Sequence, residues 1–183
     1  MAASPQACRG VLLSVRRDPL SDPQALIRRV YAYAAYRLGD GPDAEDASSD
    51  AFERALRYRS SFDPRKGSPA AWMIGIARRS VDELLAARTT LLAEPRDEPV
   101  HDRDSALRLD LARALERLDE RDRELVALRY GADLTAKQIA AQLDMKTNAV
   151  EVALHRALGR LRRELESDGV EEPGKALQPK TAP

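Results

Sequence analysis

Aromatic side chains are scarce in this chain, at 4% of 183 residues. Sheets draw on aromatic and β-branched residues, whereas Leu, Ala, Arg and Glu here outnumber Val, Ile and Thr, so composition favours helix. Cysteine is scarcer still. Cys8 stands alone, which excludes a disulfide framework and a cysteine-based metal site and suits a reducing cytoplasm. No apolar run approaches the ~20 residues of a membrane-spanning helix, and Val11-Leu12-Leu13 is too short for the core of a secretory signal. A Gly-rich phosphate loop is also missing, and neither histidine lies near the acids of residues 43–50, so an enzyme is the least favoured class and no metal or other cofactor is expected. Net charge is absent as well: 30 Lys and Arg balance 30 Asp and Glu. That argues against a nucleic-acid binder unless the charges are segregated along the chain.

They are segregated. Residues 1–21 mix Pro, Arg and small residues without periodicity and read as a flexible lead-in. Asp22-Pro23 then opens a helix by its capping pattern, with Leu26, Ile27, Val30, Tyr33 and Leu38 expected inward and a stop at Gly39-Asp40-Gly41-Pro42. The next segment, DAEDASSDAFE, carries five acids and no base, followed by Arg54, Arg57 and Arg59. Acids early and arginines late match the helix dipole, with Phe52, Ala55 and Leu56 expected on the buried side. The loop RSSFDPRKGS holds two adjacent cations, Arg65 and Lys66, between helix breakers. From Ser68-Pro69 a long helix runs to about Arg88, with Trp72, Met73, Ile76, Ala77, Leu84 and Leu85 mostly on one side. These three helices make a first domain, 22–88.

Residues 89–104 contain Pro95, Pro99 and several acids, the composition of a linker. A second domain, 105–166, begins with a helix bearing Leu107, Leu111, Leu115 and Leu118. A short helix follows, ended by Gly131 as an expected left-handed cap. Thr135 and Gln138 have the T-x-x-Q spacing of a capping box, which starts a helix at Ala136 with Ile139, Ala140 and Leu143 inward. After Asp144–Thr147 a last helix carries Val150, Leu154, Leu158, Leu161 and Leu165 at spacings of three or four. The pair resembles a helix-turn-helix, in which the second helix lies in the major groove with its first turns close to base edges. Residues 167–183, with three prolines, lack a packing pattern and are expected to be disordered. The fold class is therefore all-α: a three-helix domain and a four-helix domain joined by a flexible linker.

Taken together, DAEDASSDAFERAL, then FDPRKGSPAAWMIGIARRSVDELL, then a polar linker and RDRELVALRYGADLTAKQIAAQLDMKTNAVEVALHRALGRLRREL resemble a bacterial RNA polymerase sigma factor of the extracytoplasmic-function group. The resemblance covers about residues 22–166 and two independent patterns in the right order. It implies a protein that makes no bonds itself. Such a factor binds the polymerase core through the β′ clamp helices and the β flap, sets its second domain on the upstream promoter element, and opens the downstream element with its first. Asp43, Glu45, Asp46 and Asp50 would face polymerase arginines, or else form an ordinary acidic helix start. Arg65, Lys66, Gly67 and Ser68 become candidates for capturing a flipped base, and Arg78 and Arg79 for the strand's backbone. Trp72 is either a stacking platform or a core residue; Tyr58 and Phe62 pose the same choice.

For the upstream element the candidates are Lys146, Thr147, Asn148, Glu151, His155 and Arg156, whose chemistries suit guanine, phosphate, adenine or cytosine. Many members carry a basic residue, a small polar one and an arginine where this chain has Glu151, Val152 and Ala153. Asn148 and Glu151 also have capping-box spacing, so Glu151 either reads a base or caps the helix. Arg160, Arg162 and Arg163 either touch phosphate or polymerase or serve the charged end of the helix. Members of the group are often held inactive by an anti-sigma factor, a further expected partner; membrane insertion is not expected. Two rival readings stay open. A stand-alone helix-turn-helix regulator would bind a palindromic duplex without polymerase, and a helical adaptor would use both charged faces for protein partners.

Overall fold

The structure is a computed structural model that describes residues 18–90 and 103–168. Cys8, the Val11–Leu13 run, most of the expected linker and the C-terminal tail lie outside the described residues. Among those described, every regular element is helical, and no helix is long and apolar enough to cross a membrane.

Helix α1, Pro23–Leu38, starts where Asp22 accepts a hydrogen bond from the Ala25 N–H at 3.1 Å. It stops because Gly39 and Gly41 adopt φ of 90° and 146°, a region that side-chain-bearing residues avoid. Helix α2, Pro42–Tyr58, buries Ala44, Ala47, Ala51 and Ala55. This corrects the expected inward faces, because Leu56 is 59% exposed and Ile27 on α1 is 50% exposed. Each lies one position past a buried residue, about 100° around the helix. On α2, burial follows the phase of the alanine stripe over the size of the side chain.

A 3-10 turn at Arg59–Ser61 and the loop after it lead to α3, Pro69–Thr90. Ser68 caps that helix, its Oγ accepting from the Ala71 N–H at 3.2 Å. Trp72 meets buried Phe62 edge-on, with centroids 5.7 Å apart and planes at 63°, and packs against the main core. Helix α4, Arg103–Glu116, and α5, Glu120–Val126, follow. Arg123 fastens the end of α4 by donating to the carbonyls of Leu115, Glu116 and Leu118.

From Ala127 to Gly131 the helix widens, and the Ala132 N–H bonds five residues back to the Ala127 carbonyl at 2.9 Å. Gly131 is not the left-handed cap; Asp133 takes that conformation, with φ of 52°. Glycine is needed at 131 for close approach, since a Cβ there would sit 2.9 Å from the Ala32 carbonyl oxygen and 3.0 Å from Tyr33 Cα. Helix α6, Ala136–Leu143, opens on the full Thr135/Gln138 capping box and closes on Asp144 at φ 51°. Helix α7, Thr147–Asp168, buries Val150, Leu154, Ala157 and Leu161.

The two halves share one core. Leu26, Val30 and Tyr33 of α1 and Met73 and Ile74 of α3 belong to the same buried cluster as Leu128, Leu134 and Ile139. A second, smaller cluster joins Ala114, Leu115 and Leu118 to Val126, Ala157 and Leu161. At the seam lies Arg37, 3% exposed. Its guanidinium donates to the Tyr33 hydroxyl at 3.0 Å and to Glu120, with Asp82 at 3.4 Å and Glu124 at 3.5 Å. Burial opposes its charge, but Tyr33 and these three carboxylates outweigh that and hold its pKa above the ordinary value.

A shared core makes the halves unfold together. Truncating Ile139 to Ala costs about 2–5 kcal/mol, and the loss should appear in the urea midpoint of Trp72 fluorescence even though Trp72 lies on α3. An unmoved Trp72 transition beside a shifted helical circular-dichroism transition would mean two independent cores.

Candidate nucleic-acid and polymerase interfaces

Helix α7 projects its first turns into solvent because its apolar residues are spent on the α6 and core side. Lys146, Asn148, Glu151, His155 and Arg156 are exposed together, with Thr147 half-buried behind them. The first intrahelical bond runs from the Val150 N–H to the Lys146 carbonyl at 3.1 Å, so Asn148 is already inside the helix. The Asn148–Glu151 capping box is therefore not formed, and the Glu151 carboxylate stays exposed. Val152 stands beside it, 52% exposed, an apolar contact placed among polar ones. Lower on the helix Arg160 is engaged by buried Asp122, and Arg162 by Glu166 at 2.8 Å. Arg163 donates to the Gly159 carbonyl at 3.3 Å.

The candidates in the first half separate into two sets. Arg65, Lys66 and Gly67 are exposed on the loop, whose turn is fixed by Asp63: its carboxylate accepts from the Arg65 N–H at 3.0 Å and its carbonyl from the Lys66 N–H at 3.0 Å. Arg79 is exposed as well. Ser68 and Arg78 face the other half of the chain. The Ser68 hydroxyl accepts from Gln138 Nε2 at 3.0 Å. Arg78 donates to Glu124 at 2.7 Å and to the Gln142 carbonyl at 2.8 Å.

The four acids of α2 divide too. Glu45 and Asp46 point into solvent. Asp43 is drawn in by Arg88, which also donates to the Leu38 carbonyl at 3.0 Å, and Asp50 pairs with Arg54 at 2.9 Å. Arg54 reaches on to Glu83 of α3 at 2.5 Å. Those hydrogen bonds hold the Arg54 pKa up and the Glu83 pKa down. Among the described residues no group of three or more His, Cys, Asp or Glu is placed to hold a metal.

Two exposed cationic or polar faces, one on a loop before a long helix and one on a helix-turn-helix, now have counterparts in known proteins. The family profile for Sigma-70 region 2 matches residues 24–90, and that for Sigma-70 region 4 matches residues 108–161. The ECF RNA polymerase sigma factor RpoE of Cereibacter sphaeroides is 30% identical over 132 residues, which cover 67% of this chain and 72% of that protein. The chain belongs to the ECF sigma factors. The ECF RNA polymerase sigma factor BldN of Streptomyces coelicolor is 30% identical over 153 residues, 76% of this chain, and the match spans only 57% of BldN. In fold, the chain is similar to the sigma factor RpoE solved in complex with the anti-sigma factor NepR from Bartonella quintana. That match has a TM-score of 0.64 and 21% identity, and covers 78% of this chain and 93% of that one.

In this sigma factor, region 2 thus supplies the loop cations and the α2 acids, and region 4 supplies the α7 face. Sequence reasoning missed the residues that join the regions: Arg37, Gly131, Glu124 and Gln142. Each looks ordinary along the chain, since a helical Arg, a helical Glu and a polar Gln are common on solvated faces. Gly131 alone carries a local signal, and that signal resembles a helix cap, whereas its place against Ala32 and Tyr33 is set by tertiary packing.

If the α7 face meets DNA, Arg156→Ala should weaken duplex binding across sequences and flatten the salt dependence by about one unit in the log–log slope. Titration of a labelled duplex at several salt concentrations reads both. An unchanged slope would remove Arg156 from the phosphate contacts.

Proposed function

We propose that the chain is a promoter-specificity factor: it binds the RNA polymerase core, reads an upstream element with α7 and opens the downstream element with the 60–68 loop and α3. The observation that carries this reading is the pairing, in one chain and in order, of a region 2 with free loop cations and a region 4 with an unobstructed first turn of its second helix. In this scheme residues 22–88 form the melting half and 105–166 the reading half. Asn148, Glu151 and Val152 offer an adenine, a cytosine and a thymine methyl contact in turn, with Lys146, Thr147, His155 and Arg156 flanking them.

Strand opening costs stacking energy, which Arg65, Lys66, Gly67 and Ser68 offset by capturing a base, and Arg78 and Arg79 by gripping the backbone. Glu45 and Asp46, with Asp43 and Asp50 behind them, meet the β′ clamp helices, while region 4 meets the β flap. Balanced net charge then has a reason, since acidic surfaces serve the polymerase and basic ones the DNA. An anti-sigma factor, as in the NepR complex of the Bartonella protein, would act by covering these same surfaces, and the site of action is the cytoplasm. No metal or nucleotide is required of this chain.

The test is run-off transcription with core polymerase and genomic fragments, comparing wild type with Arg65→Glu/Lys66→Glu. The wild type should yield discrete promoter-dependent transcripts. The double variant should still bind core but lose most of the transcript and of the permanganate-reactive open region. Equal transcription by both would remove the loop from strand opening, and no transcript from a wild type that binds core would overturn the function.

A further inference from the structure

We propose that Val152 makes α7 a reader of pyrimidine C5-methyl groups, so that binding to the upstream element responds to a methyl in the major groove, supplied by thymine or by 5-methylcytosine. This role of Val152 rests on α7 lying in the groove, as proposed above, and names what the middle of its face recognises.

Val152 is 52% exposed on a helix that buries Val150, Leu154 and Leu161. At about 100° per residue it points about 160° away from both Val150 and Leu154, so it is not the fringe of the core. It belongs to neither buried cluster among the described residues. Asn148 and Arg156 flank it one turn away, each about 40° around the helix, and Ala149 and His155 lie about 60° away. All four are exposed. Val152 therefore stands at the centre of the outward arc, with Ala149 beside it and polar or cationic groups at the rim. A lone exposed valine is ordinary on a protein surface. One at the centre of a groove-facing arc has an apolar group to meet there.

The major groove offers that group in one place. Thymine carries a methyl at C5 beside its O4 acceptor, whereas cytosine shows its N4 donor and a bare C5–H. Methylating cytosine adds the same methyl and keeps the N4 donor. The exposed Glu151 carboxylate, next to Val152, accepts from an N4–H and is repelled by O4. The two sources thus differ in what they ask of Glu151: 5-methylcytosine satisfies both residues at one base pair, and thymine satisfies Val152 at a pair that Glu151 does not face. Burying one such carbon against a side chain changes affinity about fourfold.

The experiment uses the full chain bound to core polymerase, as wild type, Val152→Ala and Val152→Thr. Alanine removes apolar surface, and threonine keeps the shape while placing a hydroxyl on it. Because Val152 is exposed, both variants should unfold at the wild-type temperature. The probe is a duplex enriched by the wild-type complex from a randomised pool. It is remade with each thymine in turn replaced by uracil, and each cytosine in turn by 5-methylcytosine. Every swap removes or adds one methyl and leaves the hydrogen-bonding edge intact. A loss of about fourfold at one uracil position, absent from both variants, supports the proposal with thymine as the source. A gain of similar size at one 5-methylcytosine, again absent from the variants, supports it with the modified base as the source. No response at any position in the wild type, or an equal response in Val152→Ala, would overturn it. If the complex enriches no sequence at all, the placement of α7 in the groove fails and this role with it; an enriched sequence indifferent to every swap sinks the role of Val152 alone.

Discussion

A guanidinium shut away from solvent holds the centre of this molecule. Arg37 lies where α1, α3 and α5 converge, and its charge is tolerated only because Tyr33, Glu120, Glu124 and Asp82 surround it. Removing one member of a buried charge group is costly, since the others are left without compensation. The same burial pushes the Tyr33 phenol well above its usual range, so the pair enters the physiological range as a cationic donor and a neutral acceptor. Glu124 also receives Arg78. One carboxylate thus ties the buried cation of α1 to Arg78 of α3, and so joins region 4 to two helices of region 2.

The contact between α1 and region 4 sets one large side chain among smaller ones. Ala34 and Tyr33 on one side and Ala127, Leu128, Ala132 and Leu134 on the other are fully buried, and glycine at 131 lets backbone meet backbone. Separating the halves would expose this apolar surface, at a cost that scales at about 25 cal/mol per Å². Hydrophobic burial accordingly holds the two regions together, and the polar contacts fix how they meet.

Much of the fold could be read along the chain because its punctuation is chemical. Asp22-Pro23, Ser68-Pro69 and the Thr135/Gln138 box each begin a helix where the cap chemistry predicts. What misled was size: Leu56 looks like a core residue, yet the alanine stripe of α2 sets the phase there, and Ile27 sits one position off the buried Leu26 of α1. The α7 face was legible because a helix spending its apolar positions inward must present the rest. The loop cations were legible as charges between breakers. The partners of Ser68 and Arg78 were not, because contacts between residues about 46 to 71 positions apart leave no periodic trace in a sequence.

The account rests on regions 2 and 4 sharing one buried core. It is tested most directly by the distance between spin labels on exposed sites of α2 and α7, at Glu53→Cys and Arg163→Cys in a Cys8→Ser background, measured by pulsed electron resonance. A single narrow distance distribution in the free protein is the predicted result. A broad or multi-peaked distribution would contradict it.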